Sequence, residues 1–166
     1  MVDQAEIDYD FEKADSGASK SVPLCLTELR KGMHILMGEG RPCKVIEIAT
    51  SKTGKHGHAK AAIVGVDIFN ARKYQDVSPL SHSKEAPLIT RREYTLMDID
   101  DEGYLSLCDK AGIMRSDLKF VIDIEWDTEV KNRIIKGFEE GKTMVVTVLA
   151  SMDIEKIEEG KEAQLQ

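Results

Sequence analysis

The chain has 166 residues, 42% of them hydrophobic and 32% charged, with a formal net charge of -7, which suits one medium domain or two small ones of roughly 70 residues each. Aromatic residues make up only 5%, which favours aliphatic cores and speaks against an RNA platform of stacked rings. No apolar run approaches the ~20 residues of a membrane span, the N-terminus carries Asp3, Glu6, Asp8, Asp10 and Glu12 instead of a basic-then-apolar signal, and Cys25, Cys43 and Cys108 are too widely spaced for a disulfide framework, so reduced core thiols and a cytosolic location are expected.

Along the chain, residues 1–20 are acidic and contain Ser, Gly and Ala, and read as a disordered tail that cannot offset its own ordering entropy. From Val22 short apolar runs alternate with turn residues: Met33 to Met37, the Gly38-Glu39-Gly40 turn, then Cys43 to Ala49. Ala62, Val64, Val66 and Ile68 recur at period two, predicting a half-buried strand whose other face includes Gly65 and Asp67. Residues 51–60 therefore lie between two strands as a long hairpin loop. Pro79, Ser81-His82-Ser83 and Pro87 interrupt the pattern, which sets one domain at 21–87 and a second at 88–166 with a short C-terminal tail.

In that second part, strands are expected at Tyr94 to Ile99, Tyr104 to Cys108, Ile113 to Leu118, Val121 to Ile124 and Thr143 to Leu149, with turns at Asp100 to Gly103 and Lys110 to Gly112. One helix is expected among them. Asp127 or Thr128 caps it, Val130, Ile134 and Phe138 share a face, and Gly141 stops it. The fold class is all-β, and about five strands with an inserted helix fit an OB-type barrel among other small β folds.

Charge is unevenly distributed. Residues 1–19 hold six acids and one base, residues 20–60 eight bases and three acids, and residues 89–166 eighteen acids and eleven bases. Polyanion contacts thus belong to the first half. Its most basic stretch, residues 51–60, reads Ser-Lys-Thr-Gly-Lys-His-Gly-His-Ala-Lys, with no acid. Gly54 and Gly57 bracket Lys55 and His56, so the loop presents Lys55 at its tip.

Several chemistries compete for this loop. A phosphate-cradling P-loop needs a glycine where Ala49 stands and Ser or Thr where His56 stands. A zinc site built on His56 and His58 lacks two further ligands at plausible spacing, so no metal is expected. A solvated basic hairpin without a task is the plain reading, and a cationic probe for phosphate or RNA, with Lys55 open to modification, is the functional one.

The string Ser51 to Lys60, continued by Ala61 to Phe69, resembles the hypusine loop of the eukaryotic translation initiation factor 5A family, whose bacterial relative is elongation factor P. The likeness extends over residues 20–155, through Gly38 to Lys44, Asp100 to Leu107 and Thr143 to Leu149. It departs at Asn70-Ala71-Arg72, where a turn like Thr-Gly-Lys is expected, and from Ser78 to Glu85. The resemblance implies two small barrels, an SH3-like domain followed by an OB-fold. It also implies that Lys55 receives an aminobutyl group from spermidine through deoxyhypusine synthase, completed to hypusine by deoxyhypusine hydroxylase, with Ser51, Lys52, Thr53, Gly54, His56, Gly57, His58 and Lys60 as the surrounding, RNA-contacting loop.

No cofactor is implied beyond that covalent change, and no membrane or DNA partner. The expected partners are the E site of the large ribosomal subunit and the acceptor end of the peptidyl-tRNA. The expected task is to promote peptide-bond formation at stalled junctions such as proline runs, in elongation and termination, without acting as an enzyme. His56 and His58 then shape the loop or touch RNA, since no nearby carboxylate orients them for proton transfer. Two alternatives remain: an unmodified RNA-binding module, and an enzyme with Lys55 as nucleophile, which would call for an apolar pocket to lower its pKa.

Overall fold

The computed structural model describes residues 20–52, 54 and 57–164, so the tail expected at residues 1–20 falls, except for Lys20, outside the described residues. The chain divides into two compact units, Met1–Ile89 and Thr90–Gln166.

The first unit contains β1 (Ser21–Cys25), β2 (His34–Met37), β3 (Arg41–Lys52), β4 (Ala59–Asp67), β5 (Lys73–Pro79) and β6 (Ser83–Pro87). Strands β2-β3-β4-β5 form one antiparallel sheet, and β1 pairs with β6 in a separate ribbon that packs on the sheet through β2. Leu26, Leu29, Ile35, Met37, Cys43, Val45, Ala61 and Ile63 make the core. Burying each large aliphatic among them contributes about 1.5–3 kcal/mol.

The alternation along β4 is present but inverted relative to the sequence reading. Ala61, Ile63, Gly65 and Asp67 point into the core, while Ala62 is exposed and Val64 and Val66 are half-buried. Two details decide this. Gly65 faces in because the chain passes Met37 and Cys43, where an added Cβ would come 2.5 Å from the Met37 sulfur. Asp67, 2% exposed, is compensated by Arg41 Nε at 2.6 Å and by the Phe69 and Asn70 N–H groups at 2.8 and 3.2 Å. A carboxylate so partnered can be buried, and periodicity alone does not tell which of two alternating faces is the inner one.

The second unit contains β7 (Ile89–Ile99), β8 (Tyr104–Cys108), β9 (Met114–Lys119), α1 (Glu125–Glu139), β10 (Met144–Ser151) and β11 (Ile154–Glu162). The sheet order is β11-β10-β7-β8-β9, and its edge strands β11 and β9 approach each other. Arg115 on β9 joins them, donating to both carboxylate oxygens of Glu155 on β11 at 2.8 and 2.9 Å. The sheet curls into an OB-type barrel around Tyr94, Leu96, Leu105, Leu107, Met144, Val146, Val148 and Ile157, with Val130 and Ile134 of α1 against it. The expected turns form at aspartates whose Oδ1 accepts two backbone N–H groups each: Asp100 from Glu102 and Tyr104, Asp109 from Ala111 and Ile113.

Other sequence expectations need correction. Val121 to Ile124 is not a strand; Val121 and Ile122 are 46% and 48% exposed. The helix begins at Glu125, so Asp127 lies in its first turn and reaches back to accept the Asp123 and Ile124 N–H groups at 2.9 and 3.0 Å. Gly141 ends it as expected, at φ 78°, with its own N–H on the Phe138 carbonyl and the Lys142 N–H on the Gly137 carbonyl. The stretch from Ser78 to Pro87 supplies the end of β5 and all of β6. The charged segment Ile154–Glu162 is a strand, its alternation masked by glutamates on the outer side and by Lys156, which is buried and paired with Asp127 at 2.7 Å. Of the three free cysteines only Cys43 is buried; Cys25 is exposed and Cys108 intermediate. Burial pushes the Cys43 thiol up to about 11.

Candidate functional site

The loop singled out by its composition joins β3 to β4, the longest pairing in the first unit. Its last ladder partners are Ser51 with Lys60 and Lys52 with Ala59, leaving residues 53–58 as the tip. β2 pairs only with Arg41 to Lys44 at the start of β3, and the final four residues of β3, Ala49 to Lys52, are all exposed. The β3 arm therefore runs on past β2 with its side chains in water, while the β4 arm keeps β5 beside it as far as Lys60.

Gly54 is exposed at φ 71°, a left-handed conformation that favours glycine, and a Cβ there would meet nothing within 4 Å. Backbone strain, not crowding, is what selects glycine at this position. The Gly57 N–H donates to the Gly54 carbonyl at 3.3 Å, tying the two glycines together across the tip. On the return arm the Leu80 N–H donates to the Ala59 carbonyl at 2.9 Å, and Lys60 pairs with Pro79 on β5. The arms are thus held while their side chains stay in water.

Of the site residues named from sequence, Ser51, Lys52, Gly54, His58 and Lys60 are exposed and Gly57 is half-buried. Lys55, Thr53 and His56 lie outside the described residues. Lys52, His58 and Lys60 gather cationic or protonatable groups on one exposed hairpin, which suits contact with phosphate. Among the described residues no group of three or more His, Cys, Asp or Glu side chains is arranged to hold a metal ion, and no helix is long and apolar enough to cross a membrane.

What sequence reading missed is the support beneath this hairpin. Arg41 and Asp67 close the opposite end of the β3–β4 pair, and the Asp67 hydrogen bond holds the Arg41 guanidinium above its ordinary pKa. The Arg and Asp types were visible, but 26 residues separate them, and only the antiparallel register brings them together.

Residues 19–82 match the family model described as translation initiation factor 5A-like, N-terminal, and residues 88–161 match the one described as eukaryotic elongation factor 5A hypusine, DNA-binding OB fold. Eukaryotic translation initiation factor 5A-3 of Arabidopsis thaliana is 45% identical over 150 residues, covering 90% of this chain and 92% of its own length. Eukaryotic translation initiation factor 5A-2 of Schizosaccharomyces pombe is 46% identical over 143 residues, 86% of this chain and 80% of its own. A translation initiation factor 5A family protein from Naegleria fowleri superposes with a TM-score of 0.80 at 43% identity, covering 86% of this chain and 99% of that one. The fold, the SH3-like and OB-type order of its two units and this agreement over most of the length lead to one conclusion: the chain belongs to the eukaryotic translation initiation factor 5A family of translation factors.

Proposed function

We propose that the protein is a hypusine-dependent factor that acts in the cytoplasm at the E site of the large ribosomal subunit and promotes peptide-bond formation at stalled junctions such as proline runs. The observation that carries this reading is the β3–β4 hairpin, whose exposed Lys52, His58 and Lys60 flank a tip bounded by two hydrogen-bonded glycines. Between those glycines the sequence places Lys55.

In this reading deoxyhypusine synthase transfers the aminobutyl group of spermidine to Lys55, and deoxyhypusine hydroxylase adds the hydroxyl. The longer side chain gains reach, a second amine and a hydroxyl over an ordinary lysine. Lys52, His58 and Lys60 hold the loop against phosphates, and the modified Lys55 lies beside the acceptor end of the peptidyl-tRNA. Proline's fixed ring makes productive geometry rare, so positioning the substrate raises the rate. The factor supplies no nucleophile, and the ribosome makes the bond.

Incubating the protein with deoxyhypusine synthase and labelled spermidine, followed by peptide mapping, tests the assignment. Label is expected on Lys55 alone. Label on Lys52 or Lys60, or none, would refute it, and the unmodified RNA-binding module would take its place.

A further inference from the structure

The positive charge of the first unit is not confined to the hairpin. Lys44 on β3, Val66 on β4 and Lys73 on β5 are register partners across three adjacent strands, and such partners show their side chains on one face of a sheet. Lys44 and Lys73 are exposed, with Val66 half-buried between them. Two strand spacings separate the lysines, about 10 Å. Arg72, the residue before Lys73, is exposed as well. Its backbone is fixed on both sides: its carbonyl accepts the Asp67 N–H at 2.8 Å, and its own N–H donates to Asn70 Oδ1 at 3.0 Å.

These three cations are not neutralised by the protein. Among the described residues none of them forms an ion pair, because the nearby acids are committed elsewhere, Asp67 to Arg41 and Asp76 to Lys84. The rung beside them, Glu47, Val64 and Gln75, adds one carboxylate against three cations. The second unit is organised in the opposite way. There Arg91, Arg115, Arg133, Lys142, Lys156 and Lys161 each meet a carboxylate. Cations left to water are the ones that can trade their place in the ionic atmosphere for phosphate oxygens.

We propose that Lys44, Arg72 and Lys73 form a second phosphate-contacting surface of the first unit, which grips the backbone of an RNA strand independently of the hairpin. The spacing of the lysines lets their flexible stems reach separate phosphates, and the arginine adds a planar fork that meets a phosphate through two donors. Neither this rung nor the next carries an aromatic ring on which a base could stack, so the surface positions RNA without reading its sequence.

Along β4 this row lies six residue steps from Lys60, about 20 Å. The two cationic ends of the sheet therefore hold different phosphates, and engaging both raises the overall affinity above either alone. The choice of RNA as the polyanion rests on the proposed function, while the row itself involves neither Lys55 nor its modification.

The test measures binding of a single-stranded oligouridine by the full-length chain over a range of salt. The triple variant Lys44→Gln, Arg72→Gln, Lys73→Gln is expected to lower the slope of log affinity against log salt by about 2, at ~0.7 per phosphate contact. Its thermal midpoint should match wild type, since all three side chains are exposed. Exchanging the cations, as Lys44→Arg, Arg72→Lys, Lys73→Arg, should retain most of the slope. Lys55→Arg should leave the contribution of the row intact, so a failure of the hypusine reading is distinguishable from a failure of this one. An unchanged slope in the glutamine variant, or no salt-dependent binding by wild type, would overturn the proposal. An equal loss from Lys110→Gln, Lys131→Gln, Lys136→Gln in the second unit would overturn it in favour of net charge alone. An unchanged RNA slope with weakened binding of polyglutamate would overturn it in favour of an acidic protein segment.

Discussion

At the scale of single residues, the proposed function makes Lys55 separable from the fold. Lys55→Arg keeps a positive charge but removes the primary amine that the modification needs. Because its described neighbours Gly54 and His58 are exposed, the substitution is expected to leave stability within about 0.5 kcal/mol. Polyproline synthesis by the treated protein should collapse while weak ribosome binding persists. Synthesis equal to that of the modified wild type would mean that charge alone suffices.

Ala71 offers a second residue-scale test. It stands where the family resemblance led to an expectation of glycine, and it sits at φ 61° with its N–H on the Asp67 carbonyl at 3.0 Å. The left-handed conformation costs a non-glycine residue about 1–2 kcal/mol, and glycine returns part of that as unfolded-state entropy. Ala71→Gly is therefore expected to raise stability by up to about 1 kcal/mol, read as a higher denaturant midpoint with unchanged slope. A lower midpoint would show that the turn is not strained by its alanine.

At the scale of elements, two glycines of the second unit differ in what they tolerate. A Cβ at Gly160 on β11 would meet Cγ1 and Cδ1 of Ile134, a branched side chain that is fully buried. It can move only if α1 moves away from β11, so Gly160→Ala is expected to cost about 1–3 kcal/mol. At Gly137, within α1, the Cβ would meet the sulfur and end of Met144. An unbranched thioether can turn aside, and alanine recovers about 1 kcal/mol of helix propensity. Gly137→Ala is accordingly expected to be near neutral. Thermal unfolding of the two variants side by side checks this, and equal losses would contradict the assigned difference in compliance.

The elements also show where sequence legibility stopped. β8 was readable in full because Tyr104 to Cys108 alternates cleanly between two turns set by Asp100 and Asp109. β6 was not: Ser-Lys-Glu-Ala-Pro has no strand signature, and it is a strand because β1 offers it a complete edge from Ser21 to Cys25. β11 was obscured by charge, and each of its six charged side chains has an ion-pair partner, as Glu158 has Arg91 and Glu155 has Arg115.

At the scale of the whole molecule, charge is the property that separates the two units. Polyanion binding is expected to depend on Lys52 and Lys60 in the first unit. The double variant Lys52→Gln, Lys60→Gln in the full chain removes two phosphate contacts, and the slope of log affinity against log salt should fall by about 1.4 for single-stranded RNA. Replacing Lys110 and Lys136 of the second unit should leave the slope unchanged. A loss of slope on the second pair as large as on the first would move the RNA contacts to the other unit.

The sequence by itself determined the local and compositional properties: all-β architecture from short alternating runs, turns from glycine and aspartate, a basic loop between two strands, and family membership from residue strings that need no coordinates. Tertiary structure decided what depends on partners distant in the chain. It decided which face of β4 is buried, because Arg41 allows Asp67 to go inside. It turned a nondescript stretch into β6, because β1 was there to pair with it. It curled the second sheet, because inward side chains of strands distant in the chain, such as Leu105 on β8 and Ile157 on β11, bury one another in a single core, and Arg115 meets Glu155 where the edges approach. In each case the deciding energy lies in a contact between residues far apart in sequence, and no window along the chain contains both partners.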